Sequence, residues 1–316
     1  MEYLTPNRIY LGDNRDLMRT ILPNSISLSF WSPPYFVGKE YESDETYESW
    51  QNLLKEVIEL HHSVLKPGGF MVINISDILA FRDEQMPRIM GLNPSNRKCP
   101  VTREDVIRAK EANPTFNRYQ LAKLLNCSEQ TIDRRLNGNN IRGGKYSSGS
   151  RVKLVGGALE EYAYKVGLYL YDKRLWKKDP AWQNSKWTTN TLKAVSETED
   201  LYIFWKPGDY VVNRDRLTKE EWKAWGLRQI WDIPSVRIND DHPAKFPLEL
   251  AYRVIKLFTD ENEIVLDPFL GSGTTAIAAQ TLNRKFIGLE KEKKYFLLAN
   301  EKLDNHGQHL LPLAFE

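Results

Sequence analysis

Apolar positions along the chain follow two alternating periods. "RIYLGD" (Arg8 to Asp13) and "SISLSFW" (Ser25 to Trp31) are short apolar runs that predict strands, and "NRDLMRTIL" between them predicts a helix. From Glu48 to Leu65, the residues Leu54, Val57, Ile58, His61 and Leu65 recur at helical spacing. "KPGG" predicts the end of that helix, and "FMVINI" (Phe70 to Ile75) a buried strand. Strand, helix, strand, helix, strand implies a parallel sheet, since parallel neighbours need a crossover between them.

The alternation lapses from about residue 80 to 150. There the chain is polar, basic and helix-like, and it ends in "NGNNIRGGKYSSGS", whose Gly, Asn and Ser content is that of a turn-rich segment. Strand and helix signals resume with "GGALEEYAYKVGLYL", "KRLWKK" and "DLYIFWK". The remainder is again α/β: "PLELAYRVIKLF" predicts an amphipathic helix, "EIVLD" a strand, "GSGTTAIAAQTL" a helix entered through glycines, "RKFIGLE" a strand and "KEKKYFLLANEKL" a closing helix. The expected fold is therefore α/β, a doubly wound, mostly parallel sheet (residues 1–79 and 151–316) carrying a mainly helical insertion (80–150).

Composition adds limits. With 316 residues, 41% hydrophobic and 27% charged, the chain can bury a sizeable core. Its first residues lack the basic-then-apolar layout of a signal peptide, and no apolar run reaches the length of a membrane span, so a cytoplasmic location without membrane contact is expected. Two cysteines, Cys99 and Cys127, are too few for a disulfide framework or an independent zinc module. His61, His62, His306 and His309 do not cluster with acids or thiols, and no metal is assigned. Net charge is only +2, yet between Arg97 and Lys178 there are 18 Lys and Arg against 8 Asp and Glu. That local excess suits a phosphate backbone, or simply a solvated basic surface.

Two stretches carry chemistry. In "DPFLGSGTTA" (Asp267 to Ala276), a strand, Gly271-x-Gly273-x-x-Ala276 and a helix are followed by a second strand that ends in Glu290, the layout of a mononucleotide-binding half-sheet. No Lys-Ser or Lys-Thr follows Gly273, so this is not a phosphate-cradling P-loop. A carboxylate at Asp267 repels a pyrophosphate and suits an ammonium or sulfonium ligand. Too little chain follows Glu290 to complete this half-sheet, which predicts that its next strand comes from Arg8 to Asp13. The second stretch is "SPPY", Ser32 to Tyr35, directly after a strand.

SPPY after a strand, DPFLGSGTT before the last βαβ unit, and "HPAKFP" (His242 to Pro247) together resemble the amino-methylating DNA methyltransferases, in particular the circularly permuted group whose catalytic tetrapeptide precedes the cofactor loop. The resemblance covers Arg8 to Leu79 and about Gly167 to Leu303. It implies a Rossmann-like class I fold, S-adenosyl-L-methionine as methyl donor, double-stranded DNA as substrate and a cognate restriction endonuclease as cellular partner. It implies that Asp267, Phe269 and Gly271 line the methionine and sulfonium side with Ser272, Gly273 and Thr274 completing the loop, that Glu290 takes the ribose hydroxyls, and that Asp13 meets the adenine. His242 and Lys245 would lead into the helix that closes the methionine pocket, although His242 reads equally well as a packing or turn-capping residue.

SPPY then has a chemical reading. The lone pair of an exocyclic base nitrogen is delocalised into the ring; if Ser32 and the Pro33 carbonyl accept its hydrogens, the nitrogen becomes more tetrahedral and more nucleophilic. Consecutive prolines, Pro33 and Pro34, restrict φ and lack N–H donors, so the strand end offers acceptors. Tyr35 offers a face on which an extruded base can stack. In the family a leading Ser accompanies cytosine N4 methylation, and Asp or Asn adenine N6; both substrates stay open. Two other classes are a non-catalytic helix-turn-helix DNA-binding protein, which has no use for fixed acceptors facing a cationic ligand, and a nicotinamide-dependent dehydrogenase, which needs a pyrophosphate where Asp267 stands.

Within the insertion, "NRYQLAKLLNCSEQTIDRRLNG" (Asn117 to Gly138) resembles a helix-turn-helix. Leu121, Ala122 and Leu125 share one helical face, Ser128 is a candidate N-cap, and Ile132 and Leu136 form the inward face of a second helix. That phase leaves Gln130 and Arg134 to face base edges, and Arg135, Arg142 and Lys145 to meet phosphates. A plain helical hairpin has the same apolar pattern. A second candidate for target recognition is the segment 213–231.

Overall fold

The computed structural model describes residues 2–36, 46–83, 85–86, 99–137, 150–180, 194–210, 212–236 and 246–308. The chain divides into two compact units, residues 1–80, 152–181 and 196–316 forming the first and 81–151 with 182–195 the second.

The first unit holds the sheet. Its strands are β1 (Arg8–Leu11), β2 (Ile26–Trp31) and β3 (Leu65–Ile75), with α1 (Asn14–Met18) and α2 (Tyr47–Val64) as the connecting helices. β4 (Ile78–Arg82) leads towards the second unit, whose helices are α3 (Arg103–Ala112), α4 (Arg118–Leu124) and α5 (Glu129–Asn137). β5 (Ser150–Lys153) pairs with β4 as a separate ribbon. Then come α6 (Gly156–Lys165), β6 (Tyr169–Lys177), β7 (Thr198–Trp205), the short α7 (Lys219–Glu221), β8 (Ile230–Asp232), α8 (Leu248–Phe258), β9 (Ile264–Asp267), α9 (Thr274–Thr281), β10 (Lys285–Glu290) and α10 (Lys293–Gln308).

Among the described residues the sheet runs β1-β10-β9-β2-β3-β7-β6-β8. β7 is antiparallel to both β3 and β6, and the other pairs are parallel. All six residues of β2 are buried, which is why it reads as an unbroken apolar run rather than an alternating one. The N-terminal strand does complete the C-terminal half-sheet, since β1 pairs with β10 with Leu11 opposite Glu290. From β9 the chain winds outward one way through α9 to β10, and from β2 the other way through α2 to β3. The β9/β2 boundary is thus the topological switch point, outside whose strand ends open α/β sheets bind ligands. Leu28, Phe30, Val72, Leu201, Ile203, Val254 and Val265 belong to the core that holds these strands together.

The elements differ from the expected ones in several places, and α10 runs to Gln308 rather than ending at Leu303. The first helix stops at Met18, capped by Asp13, and does not extend through Leu22. Leu65 and the KPGG turn belong to β3, because the α2 C-cap residue is already extended at ψ 135°. α3 has no counterpart among the elements that the sequence pattern predicts. Among the described residues no helix is long and apolar enough to cross a membrane.

Candidate active site

β2 delivers Ser32 to Tyr35 to the switch point. Ser29 of β2 lies opposite Leu266 of β9, so the tetrapeptide and Asp267 leave adjacent strands at the same edge, and the Trp31 and Phe269 rings lie 5.3 Å apart. Trp31 is further supported by His61, stacked on it at 5.6 Å. His61 is fully buried, its pKa pulled down to about 4 by burial, with Nδ1 2.7 Å from the Val57 carbonyl and Nε2 2.7 Å from the Ser29 hydroxyl. It is a neutral packing residue, in line with its place in the apolar phase of α2.

The acceptors of the tetrapeptide are sorted. Trp50 Nε1 donates to the Pro34 carbonyl at 2.7 Å, whereas no described residue donates to the Pro33 carbonyl. Tyr35 Oη lies 2.6 Å from Glu199 Oε2, 3.0 Å from Asn74 Nδ2 and 3.2 Å from Ser32 Oγ. Burial, reinforced by the Glu199 carboxylate, pushes the Tyr35 phenol well above its ordinary pKa, so it stays protonated and donates. Asn74 Nδ2 also reaches Glu199 Oε2 at 2.5 Å, and Lys178 is ion-paired with the other oxygen of Glu199. Sequence reading missed Glu199, Asn74 and Lys178. The available signal was phase: Glu199 shares its parity in β7 with the core residues Leu201 and Ile203.

On the other side of the switch point, Asp267 is buried at the end of β9. It accepts from the Phe269 amide at 2.9 Å and from Thr275 Oγ1 at 2.6 Å. Burial pushes its pKa up to about 7 against those two bonds, and nearby Glu290 adds to the rise. Glu290, at the end of β10, accepts from the Gly271 and Glu292 amides, both at 2.7 Å, and its pKa is likewise raised by burial. Neither carboxylate is paired with a basic side chain among the described residues. Gly271 and Gly273 have φ of 56° and 91°, and a Cβ on Gly273 would stand 3.1 Å from Ala299 Cβ, so glycine there serves both the turn and the approach of α10. Ser272 is buried and Thr274 opens α9. Asn14 Nδ2 holds the Pro268 carbonyl at 3.0 Å, tying the loop to α1. Two carboxyl groups without basic partners among the described residues thus stand at the strand ends on one side of the switch point, and the tetrapeptide's acceptors follow the strand on the other, an arrangement that favours a cationic ligand.

Asp13 lies at the end of β1, whose neighbour is β10. It caps α1 and chelates Arg15, with Oδ1 2.9 Å from Nε and Oδ2 2.7 Å from Nη2, which pulls its pKa down to about 2. Any ligand contact there is shared with that pair. His242 and Lys245 lie outside the described residues, as do Arg142 and Lys145.

The second unit, taken by itself, is three helices around Val106, Ala109, Leu121, Ala122 and Ile132. Asn126, at φ 48°, makes the turn between α4 and α5, and Ser128 accepts from the Thr131 amide as expected of an N-cap. Ile132 is fully buried, Gln130 is exposed and Arg134 is half-buried. Arg135 Nε is occupied inside the unit by the Val101 carbonyl at 3.0 Å. The segment 213–231 belongs to the sheet unit. Trp225 and Trp231 are buried edge to face at 5.8 Å, Trp231 Nε1 bonds the Trp225 carbonyl at 2.8 Å, and Arg216 pairs with Asp260.

Residues 26–301 match the N6/N4 methyltransferase family model, described as DNA methylase. The chain is 58% identical over 302 residues to the type II methyltransferase M.BglI of Bacillus subtilis, covering 96% of this chain and 87% of that protein. It is 27% identical to M.BglII of Bacillus subtilis, covering 94% and 69%. Among solved structures it resembles TTHA0409, a putative DNA modification methylase from Thermus thermophilus complexed with S-adenosyl-L-methionine, at TM-score 0.60 and 26% identity over 95% and 93% of the two chains. It shares a fold with the PvuII DNA methyltransferase, cytosine-N4-specific, at TM-score 0.58 and 16% identity over 98% and 94%.

Proposed function

The chain belongs to the N6/N4 family of DNA methylases, and from that premise we propose that it is a site-specific type II enzyme methylating the exocyclic N4 of cytosine in duplex DNA, working in the cytoplasm beside a cognate nuclease. S-adenosyl-L-methionine is the methyl donor; when bound it supplies an electrophilic methyl group on a sulfonium. The residues present fit it. Asp267 and Glu290, buried and without basic partners among the described residues, would hold its cationic and hydroxyl-bearing parts, and Gly271, at φ 56°, would allow close approach of the loop backbone.

Ser32 carries the reading. It stands just after β2 with its hydroxyl beside Tyr35, next to the Pro33 carbonyl, to which no described residue donates, and across the switch point from Asp267. A target base extruded from the helix and resting on Tyr35 would present its amino hydrogens to Ser32 Oγ and Pro33 O. Those acceptors build up the nitrogen lone pair, which forms the new N–C bond as the methyl C–S bond breaks; the proton the nitrogen then sheds goes to water. The neutral hydroxyl at the head of the tetrapeptide supports cytosine through the family resemblance, and adenine N6 is the competing outcome. Methylating random-sequence DNA and weighing its nucleosides decides between them: N4-methylcytosine supports the proposal and N6-methyladenine overturns it. Ser32→Ala should lower kcat on the order of a hundredfold while S-adenosylmethionine affinity stays within a few-fold, because the acceptor acts on charge that develops in the transition state. An unchanged kcat removes Ser32 from the reaction.

A further inference from the structure

Four neighbouring strands of the sheet, β2, β3, β7 and β6, each send one polar group or more to a single point behind the tetrapeptide. Ser32 and Tyr35 follow β2, Asn74 lies on β3, Glu199 on β7, and Lys178 directly follows β6. Glu199 is 9% exposed and Asn74 is fully buried. Packing alone gives no reason for them, since a buried carboxylate is costly unless paired and an apolar side chain of like size would serve the fold as well. Asn74 Oδ1 even lacks a hydrogen-bond partner among the described residues. Such a cluster calls for an explanation.

The direction of each hydrogen supplies one. Tyr35 has a single hydroxyl hydrogen and three acceptors in reach, Glu199 Oε2 at 2.6 Å, Ser32 Oγ at 3.2 Å and the Asn74 backbone carbonyl at 3.3 Å. The short, charge-assisted bond to the carboxylate takes it. Asn74 Nδ2 is a donor to both Tyr35 Oη and Glu199 Oε2 and cannot compete for that hydrogen. With its own hydrogen spent on Glu199, Tyr35 can only accept from Ser32 across their 3.2 Å contact. The Ser32 hydroxyl hydrogen is therefore directed at Tyr35, and the lone pairs of its oxygen are left for a hydrogen-bond donor. Lys178, ion-paired with the other oxygen of Glu199, anchors the far end of this chain.

We propose that Glu199 and Lys178 are positioning residues for methyl transfer, which act through the Tyr35 hydroxyl to hold Ser32 as an acceptor facing the target amino group. This rests on Ser32 being the acceptor for that group, as proposed above. It assigns the ring and the hydroxyl of Tyr35 separate work: the ring carries the base, and the hydroxyl relays the polarity set by Glu199. A serine without the relay could turn its own hydrogen toward the base, where it would oppose the amino hydrogens.

Glu199→Gln tests this in the full-length enzyme. The amide can donate to Tyr35 Oη and so free the phenol hydrogen to turn toward Ser32, reversing the chain. Single-turnover methylation should fall about tenfold or more, the scale of one misplaced polar group at a reacting centre, while S-adenosylmethionine Kd and the KM for DNA stay within about twofold. Tyr35→Phe keeps the ring and should lose rate to a similar extent. Because Glu199 acts only through Tyr35, the double variant Tyr35→Phe/Glu199→Gln should be no slower than the slower single variant. Multiplying losses, a wild-type rate in Glu199→Gln, or a Kd that rises in step with the loss of rate would each overturn the proposal and leave the cluster as a strut. Should Glu199→Gln fail to fold, Tyr35→Phe decides alone, and a wild-type rate there is equally fatal. The wild-type nucleoside product reports separately on base choice: N6-methyladenine would sink the cytosine reading and leave the relay standing or falling on these rates.

Discussion

Asp267 shows how a single burial can be turned to binding. Its pKa, pushed up to about 7 chiefly by desolvation, means that the unliganded folded chain holds a proton that the unfolded chain has released. Between about pH 4 and 7 the stability of the unliganded protein therefore declines as pH rises, by at most about 1.4 kcal/mol per pH unit from this group. A cationic ligand favours the ionised form and reverses that bias. S-adenosylmethionine binding should expel a proton below pH 7, so affinity should climb from pH 5.5 to 7 and level off above. Calorimetry in two buffers of different ionisation enthalpy reads the proton directly. Asp267→Asn should remove the pH dependence and weaken binding by about 1 to 3 kcal/mol, the worth of a hydrogen bond to a charged group. Affinity that ignores pH would place the ligand's positive charge elsewhere. At this scale the motifs are legible because SPPY and DPFLGSG write their chemistry in consecutive residues. Glu199, Asn74 and Lys178 are not, since only the order of the sheet brings Glu199 and Asn74 to the Tyr35 hydroxyl and Lys178 to Glu199.

Elements are legible to the extent that their periodicity is uninterrupted. α2 and β2 are plain, whereas α3, with only Val106 and Ala109 buried among charged residues, offers little apolar phase. Its capping box, Thr102 with Asp105, is the better clue. The α2 to β3 junction departs from its local pattern for a different reason. There Lys206 from beyond β7 places Nζ 2.6 Å from the His62 carbonyl, 2.8 Å from the Leu65 carbonyl and 2.9 Å from Asn24 Oδ1, closing the end of the helix from a distant part of the chain. No local pattern announces a cap of that kind. Lys206→Met should leave those carbonyls unpaired and cost about 2 kcal/mol, read as a lower urea midpoint with an unchanged m-value. Since Lys206 touches neither the tetrapeptide nor the glycine loop, kcat at low temperature should hold. A stability equal to wild type would mean that water replaces the ammonium without loss.

Over the whole molecule, chain order and spatial order diverge, and that divergence decides where recognition can be sought. The tetrapeptide and the glycine loop lie far apart in sequence yet on adjacent strands, and β1 finishes a half-sheet whose other strands are C-terminal. Of the two candidate recognition segments, 213–231 is anchored in the core through Leu217, Trp225 and Trp231 and leaves Thr218 to Glu220 and Leu227 to Ile230 as its longer exposed runs. The three-helix unit buries Ile132 and leaves Gln130 exposed on α5, the phase a groove-reading helix requires. Replacing Gln130 and Arg134 together by Ala should lower discrimination between the target and a one-base variant by about 1 to 3 kcal/mol per lost base contact. S-adenosylmethionine affinity should not change, because neither residue belongs to the unit that holds Asp267 and Glu290. Arg142 and Lys145, if they meet phosphates, should act on all sequences alike and flatten the salt dependence of binding by about one unit per lost contact. Arg135 should follow neither pattern: with its Nε on the Val101 carbonyl, its replacement should first loosen the unit, lowering the melting temperature before it alters selectivity. Unaltered selectivity in the Gln130/Arg134 variant would make the three helices scaffold and send the search for base contacts to the exposed runs between Asn213 and Trp231.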